Sequence, residues 1–190
     1  MSVSVSMSGR RLVMHYGGHR KTYRMVQGIY DLVLSPNGRQ AIYIMVKPYY
    51  PHSVNMTDAT PNSLWLLDAA TGKNTQIAAT PFSSNNKEDI AGIQIPVFSN
   101  DGTQLYFSSA GINSTDTIHA VDLATRLVRY VCDGSSLRVI GSGPYRDDLV
   151  IYEQVLYPDG TLEPGRNWLV SPQERRIKPW GSAKDGPEPE

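Results

Sequence analysis

The chain has 190 residues, of which 40% are hydrophobic, and its 18 Lys and Arg are balanced by 18 Asp and Glu. That describes one domain of ordinary size with enough apolar content for a core, and the zero net charge removes any global electrostatic case for nucleic acid or an anionic membrane as partner. A lone cysteine, Cys132, excludes an intrachain disulfide and a cysteine-based zinc site, and no stretch approaches the roughly 20 apolar residues of a membrane-spanning helix.

From the N-terminus, Met1 to Arg11 is Ser-rich and shows no apolar core of a signal peptide. Alternation over Leu12 to Tyr16, the breaker Gly17-Gly18 and a second run over Thr22 to Val26 predict a hairpin across 12–26. Next comes a phrase that the chain repeats. Ser35-Pro36-Asn37-Gly38 precedes the apolar run Ala41 to Ile44, and Ser99-Asn100-Asp101-Gly102 precedes Leu105-Tyr106-Phe107. Each is followed by a second pattern, Leu64 to Gly72 in one copy and Ile118 to Arg126 in the other.

An internal repeat decides architecture before other signals do. The first copy predicts strands at Ile29–Leu34, Ala41–Lys47, Ser63–Leu67 and Thr75–Ala78; the second predicts Ile93–Phe98, Gln104–Ser108, Thr117–Val121 and Leu127–Val131. A degenerate third copy predicts Leu137–Ile140, Asp148–Glu153, Asn167–Val170 and Arg176–Lys178. Asn-Gly and Asp-Gly tolerate positive φ and set tight hairpins. The fold expected is all-β, an open, partial β-propeller of three to three and a half blades, each a four-stranded antiparallel sheet. Its domain occupies residues 1–180, with repeats at about 29–78, 93–131 and 137–178, and 181–190 reads as a disordered acidic tail. Trp65, Leu67, Phe98, Tyr106, Val121 and Val150 are the expected core, and Cys132 reads as a structural thiol.

The order Ser-Pro-Asp-Gly, apolar strand, loop, aliphatic strand, Asp, Thr-Gly resembles the TolB-like (WD-repeat-like) propeller family, which also supplies propeller domains of prolyl-oligopeptidase-type enzymes. Ser35, Pro36, Gly38, Trp65, Asp68, Thr71 and Gly72 carry the match in the first copy, and Phe98, Ser99, Asp101, Gly102, Asp122 and Thr125 in the second. The second departs at Asn100, where proline is expected, and at Arg126, where glycine is expected.

Catalytic patterns are missing from the sequence. His15 and His19 flank Gly17-Gly18, which breaks any helix that would bring the two rings together; His119 reads as a packed strand histidine. There is no Gly-x-Ser-x-Gly elbow and no phosphate-cradling glycine loop. No catalytic residue, cofactor or metal is expected. Loop length carries the functional signal instead. The long segments Pro48–Asn62, Ser109–Asp116 and Gln154–Arg166 all fall at one end of the blades, where a rigid scaffold presents a binding surface. The expected partner-binding residues are Tyr49, Tyr50, His52, Ser108, Ser109, Asn113, Ser114 and Tyr157, with Ser108 to Thr115 entering a cleft and the tyrosines anchoring its rim.

A free-standing partial propeller of this kind resembles small immunity proteins that neutralise type VI secretion toxins, peptidoglycan amidases among them. The resemblance implies a non-enzymatic protein-binding inhibitor in the periplasm, with a secreted bacterial hydrolase as partner. The alternative is an accessory or gating domain of a peptidase or of a glycan-processing enzyme, the latter using carboxylates such as Glu153 and Asp148, in the cytoplasm if the immunity resemblance fails. Open blade edges also permit a homodimer.

Overall fold

The computed structural model describes residues 4–8, 11–16, 19–24, 29–46, 62–79, 88, 90, 92–110, 116–154, 157, 160–161, 164–173 and 175–181. The described residues form fifteen strands in four antiparallel sheets, each made of strands consecutive in the chain. The first sheet is β1 (Ser4–Ser8), β2 (Arg11–Tyr16) and β3 (His19–Arg24). The second is β4 (Ile29–Leu34), β5 (Gln40–Val46), β6 (Asn62–Asp68) and β7 (Asn74–Ala79). The third is β8 (Gln94–Phe98), β9 (Gln104–Ser109), β10 (Thr117–Asp122) and β11 (Val128–Asp133). The fourth is β12 (Ser135–Val139), β13 (Leu149–Glu153), β14 (Arg166–Ser171) and β15 (Arg175–Pro179).

Consecutive sheets meet through their first strands, β1 on β4, β4 on β8 and β8 on β12. The result is an open, partial propeller, as the repeat predicts. Because every second residue of a strand faces the same side, the second strand of each four-stranded blade feeds two interfaces. Ala41 and Tyr43 pack toward Leu12 and Met14 of the first sheet, whereas Ile42 and Ile44 pack toward Leu105 and Phe107 of the third. Tyr106 turns the other way, to Leu149 and Ile151 of the fourth. These runs are apolar without a break because both faces are buried.

The last sheet has a free outer face, where Ile140, Val150 and Leu169 are nevertheless buried, with Tyr145 and Trp180 packed against them. The two rings meet edge-on at 5.8 Å, and the Lys178 ammonium lies over both, 4.9 Å from Tyr145 and 5.5 Å from Trp180. The chain thus covers this face with its own side chains.

The first strand of every four-stranded blade carries a β-bulge at the same place. Pairing slips between Tyr30 and Val33, between Gln94 and Val97, and between Ser135 and Arg138. The bulged residues Asp31, Ile95 and Ser136 have φ of 51°, 49° and 55°. A bulge sharpens local twist, which turns each innermost strand toward its tight hairpin. Those hairpins are closed by side chains: the Ser35 hydroxyl donates to Asn37 Oδ1 at 2.8 Å and accepts from the Gln40 N–H, and Ser99 does the same with Asp101 and Gln104.

The structure departs from the expectations in three places. The N-terminal hairpin is a three-stranded sheet: Ser4-Val5-Ser6-Met7-Ser8 alternates with period two and pairs as β1, although serine favours strands weakly. Trp65 is half-buried rather than buried, its indole N–H held by the Ser63 hydroxyl at 2.9 Å; Leu67, Phe98, Tyr106, Val121 and Val150 are buried. Ser108 and Ser109 are the last residues of β9 and are 0% and 1% exposed, so they belong to the blade and not to the loop above it. Residues 182–190 lie outside the described residues.

Candidate protein-binding face

The three long connections spring from equivalent stems. Val46 pairs with Asn62, Ser109 with Thr117 and Glu153 with Arg166, each a directly opposed pair at the junction of a blade's second and third strands. All three lie at the end of the blades opposite the tight hairpins. Fixed stems reduce the ordering cost of presenting a loop to a partner.

Two of the stems are tied by buried polar groups. In the second blade Asn62, 1% exposed, accepts the Ile93 N–H at 2.9 Å through Oδ1 and donates to the Ile93 carbonyl at 2.8 Å through Nδ2. One side chain thereby clasps the segment entering the third blade in the manner of a paired strand. The Asn62 amide also donates to the Tyr30 hydroxyl, which itself donates to the Ile93 carbonyl. In the third blade Ser109 and Thr117 share a hydrogen bond of 2.7 Å, and Thr117 meets His119 Nε2 at 3.0 Å. The His119 ring stacks on Phe107 at 5.3 Å and meets Tyr130 edge-on. Serine, threonine and histidine stand close together here, yet the hydroxyl at the imidazole belongs to Thr117, and all three residues are at most 1% exposed. Their position serves the strand ends. Burial also pushes the Asp116 carboxyl up, at the foot of the 110–116 connection.

Of the expected partner-binding residues, Tyr157 is exposed, at 46%, and its carbonyl accepts the Gly160 N–H at 2.9 Å. Ser108 and Ser109 are buried, with the Ser108 hydroxyl donating to the Gln94 carbonyl at 3.3 Å. Tyr49, Tyr50, His52, Asn113 and Ser114 lie outside the described residues. No sequence signal marked Asn62, whose role depends on a segment 31 residues away.

Asp148 and Glu153, the carboxylates named for the glycan-processing alternative, are not brought together as a pair. Asp148 directly precedes β13 and Glu153 ends it, so their backbones stand at opposite ends of the strand, about 16 Å apart along it. Paired glycosidase carboxylates stand about 5 to 9.5 Å apart. Glu153 is also engaged, in an ion pair with Arg176, whose guanidinium lies over Trp168. His15 and His19 occupy adjacent rungs of β2 and β3 and so face opposite sides of the sheet. Among the described residues no group of three or more His, Cys, Asp or Glu is placed to hold a metal ion, and no helix is long and apolar enough to cross a membrane.

Fold and stems together define the chain as a partial β-propeller carrying its long connections at one end. Solved structures bear this out at the level of fold. Dipeptidyl peptidase 4 from Porphyromonas gingivalis matches 95% of this chain and 31% of its own, with a TM-score of 0.63 at 8% identity. The tricorn protease matches 89% of this chain and 16% of its own, with a TM-score of 0.57 at 12% identity. The β-propeller domain of the trilobed protease from Pyrococcus furiosus, described as having an open velcro topology, matches 80% and 41%, with a TM-score of 0.51 at 16% identity. The chain thus spans less than half the length of each. No family model and no curated protein sequence matches it.

Proposed function

We propose that this protein is a non-catalytic protein-binding module, acting as an inhibitor of the immunity type that blocks the active site of a secreted bacterial hydrolase such as a peptidoglycan amidase. The observation that carries the reading is the set of three equivalent stems, which hold connections of unequal length at one end of a rigid scaffold. With Ser108 and Ser109 in the blade, the segment offered to a cleft runs from Ala110 to Asp116 and includes Asn113 and Ser114; Tyr49, Tyr50, His52 and Tyr157 form its rim. A target that acts on peptidoglycan places the protein in the periplasm. Affinity purification from the native source, followed by titration of the captured enzyme's activity, tests the reading. Activity abolished at one equivalent supports it; a captured enzyme that retains full activity at saturation refutes the inhibitor role.

The fold shared with propeller domains of peptidases favours a second reading, an accessory or gating domain of such an enzyme. It requires a hydrolase domain in the same protein or encoded beside it, and is excluded where neither is found.

A further inference from the structure

The outer face of the first sheet concentrates positive charge, with no acid among its described residues. Arg11 stands directly opposite Arg24, Val13 opposite Thr22 and His15 opposite Arg20, so these six residues share one face. The other face, with Leu12 and Met14, is buried against the second sheet. Arg11, His15, Arg20 and Arg24 are all exposed, and among the described residues none of the three guanidiniums enters an ion pair. The first acidic residue of the chain is Asp31, whereas five of the 18 lysines and arginines precede it. Like charges directly opposite one another weaken an antiparallel pair, so the Arg11–Arg24 rung opposes the folding of the sheet that carries it. A free sheet face is relieved of that repulsion when carboxylates dock on it.

We propose that this face binds an acidic segment of a partner protein in extended conformation. The Arg11–Arg24 and His15–Arg20 rungs are four residues apart, about 13 Å along the strand. In an extended segment, acidic residues at i and i+4 point the same way at that same spacing, so each rung receives one carboxylate, and guanidinium pairs with carboxylate through two parallel hydrogen bonds. A single-stranded nucleic acid fits less well, because the described residues of this face include no Phe, Tyr or Trp and offer a base only the His15 ring to stack on. The surface is distinct from the long-connection end and does not depend on the inhibitor reading.

The test uses the whole protein and fluorescence anisotropy at low salt with three labelled probes: an alternating Glu-Thr peptide, the same peptide with Gln for Glu, and an oligothymidylate of equal charge. The expected result is binding of the Glu-Thr peptide alone, weakened as salt is raised, and weakened about tenfold or more in an Arg11→Gln, Arg24→Gln variant. The same variant should melt no lower than wild type, since a repulsive rung is removed, and an Arg39→Gln, Arg126→Gln control at the tight-turn end, which changes net charge by the same amount, should bind within about twofold of wild type. No binding of the Glu-Thr peptide, tighter binding of the oligothymidylate, or unchanged affinity in the Arg11→Gln, Arg24→Gln variant overturns the proposal.

Discussion

Asn100 donates twice to one carboxylate oxygen of Asp147, from its main-chain N–H at 3.1 Å and from Nδ2 at 2.8 Å, and Nδ2 also reaches the Ile140 carbonyl at 2.8 Å. The tight hairpin of the third blade is thereby fastened to that of the fourth. This is the position at which the repeat has proline in its first copy, Pro36, and proline has no N–H to give. Asn100→Pro, which restores the repeat signature, should therefore destabilise the protein by about 1 to 3 kcal/mol. Denaturant unfolding that shows equal or greater stability would remove this clasp from the account.

A second departure behaves differently. Gly72 and Arg126 close equivalent turns, with N–H to carbonyl bonds to Asp68 and Asp122 of 2.8 and 2.7 Å and φ of 70° and 64°. Arg126 is exposed and adopts a conformation that costs an L-residue roughly 1 to 2 kcal/mol. Arg126→Gly should raise stability by about 0.5 to 1 kcal/mol after the entropy lost by glycine, and Ile95→Gly, which relieves a β-branched residue at positive φ, should do so as well. Gly72→Ala should be destabilising, because its φ of 70° strains an L-residue and a Cβ there would also displace the Lys21 and Tyr23 side-chain ends. Thermal melts of the three variants check the signs.

Asn62→Ala should cost about 1 to 3 kcal/mol, since the Ile93 N–H loses its side-chain partner inside the protein and the Ile93 carbonyl keeps only the Tyr30 hydroxyl. Hydrogen exchange offers a local readout. The Ile93 amide should lose protection in the variant by more than the change in global stability explains.

The turn carboxylates give the protein an acid limb. Asp68 is held below the usual range chiefly by the Thr71 N–H and then by its hydroxyl, and Asp101 chiefly by the Ser99 hydroxyl and then by the Thr103 N–H. Their folded values are depressed, so the stability they lend is complete above the unfolded carboxylate value of about 4 and is lost as pH falls through the folded values. Asp116 has the opposite sign. Burial raises it, so its contribution is complete below the unfolded value and is lost as pH rises through the folded one. Asp68→Asn with Asp101→Asn should flatten the fall in stability below about pH 4, and Asp116→Asn should stabilise the protein at neutral pH. Unfolding free energies measured across pH 2 to 7 separate the two effects.

At the long-connection end, Tyr157→Ala should leave stability within about 0.5 kcal/mol and weaken the complex by about 1 to 2 kcal/mol once a partner is in hand. Ser109→Leu should instead destabilise the fold by about 1 to 3 kcal/mol through overpacking against Thr117. Calorimetric titration of a stable Tyr157→Ala protein that binds at wild-type affinity would take this residue out of the interface.

The sequence by itself determined the four-stranded blades and their tight hairpins, because Ser-Pro-Asn-Gly, Ser-Asn-Asp-Gly and Asp-x-x-Thr close on themselves within a few residues and the strands between them alternate or run apolar. Even departures from the pattern kept the geometry: Arg126 takes up the glycine conformation because its flanking strands demand it. Tertiary structure alone decided whatever depends on another strand or another sheet. Ser109 looks like loop in a row of small polar residues, and only Thr117, brought alongside by pairing, makes its burial possible. Trp65 has the composition of a core residue, but it sits where one blade's packing ends. Asn62 with Ile93, Asn100 with Asp147, and the unbalanced rungs of Arg11 and Arg24 are relations between residues far apart or on opposite strands, and no local pattern encodes them. The physical reason is range: turn chemistry is satisfied within one short segment, whereas a buried polar group or an exposed charged face acquires its meaning from what the fold places next to it.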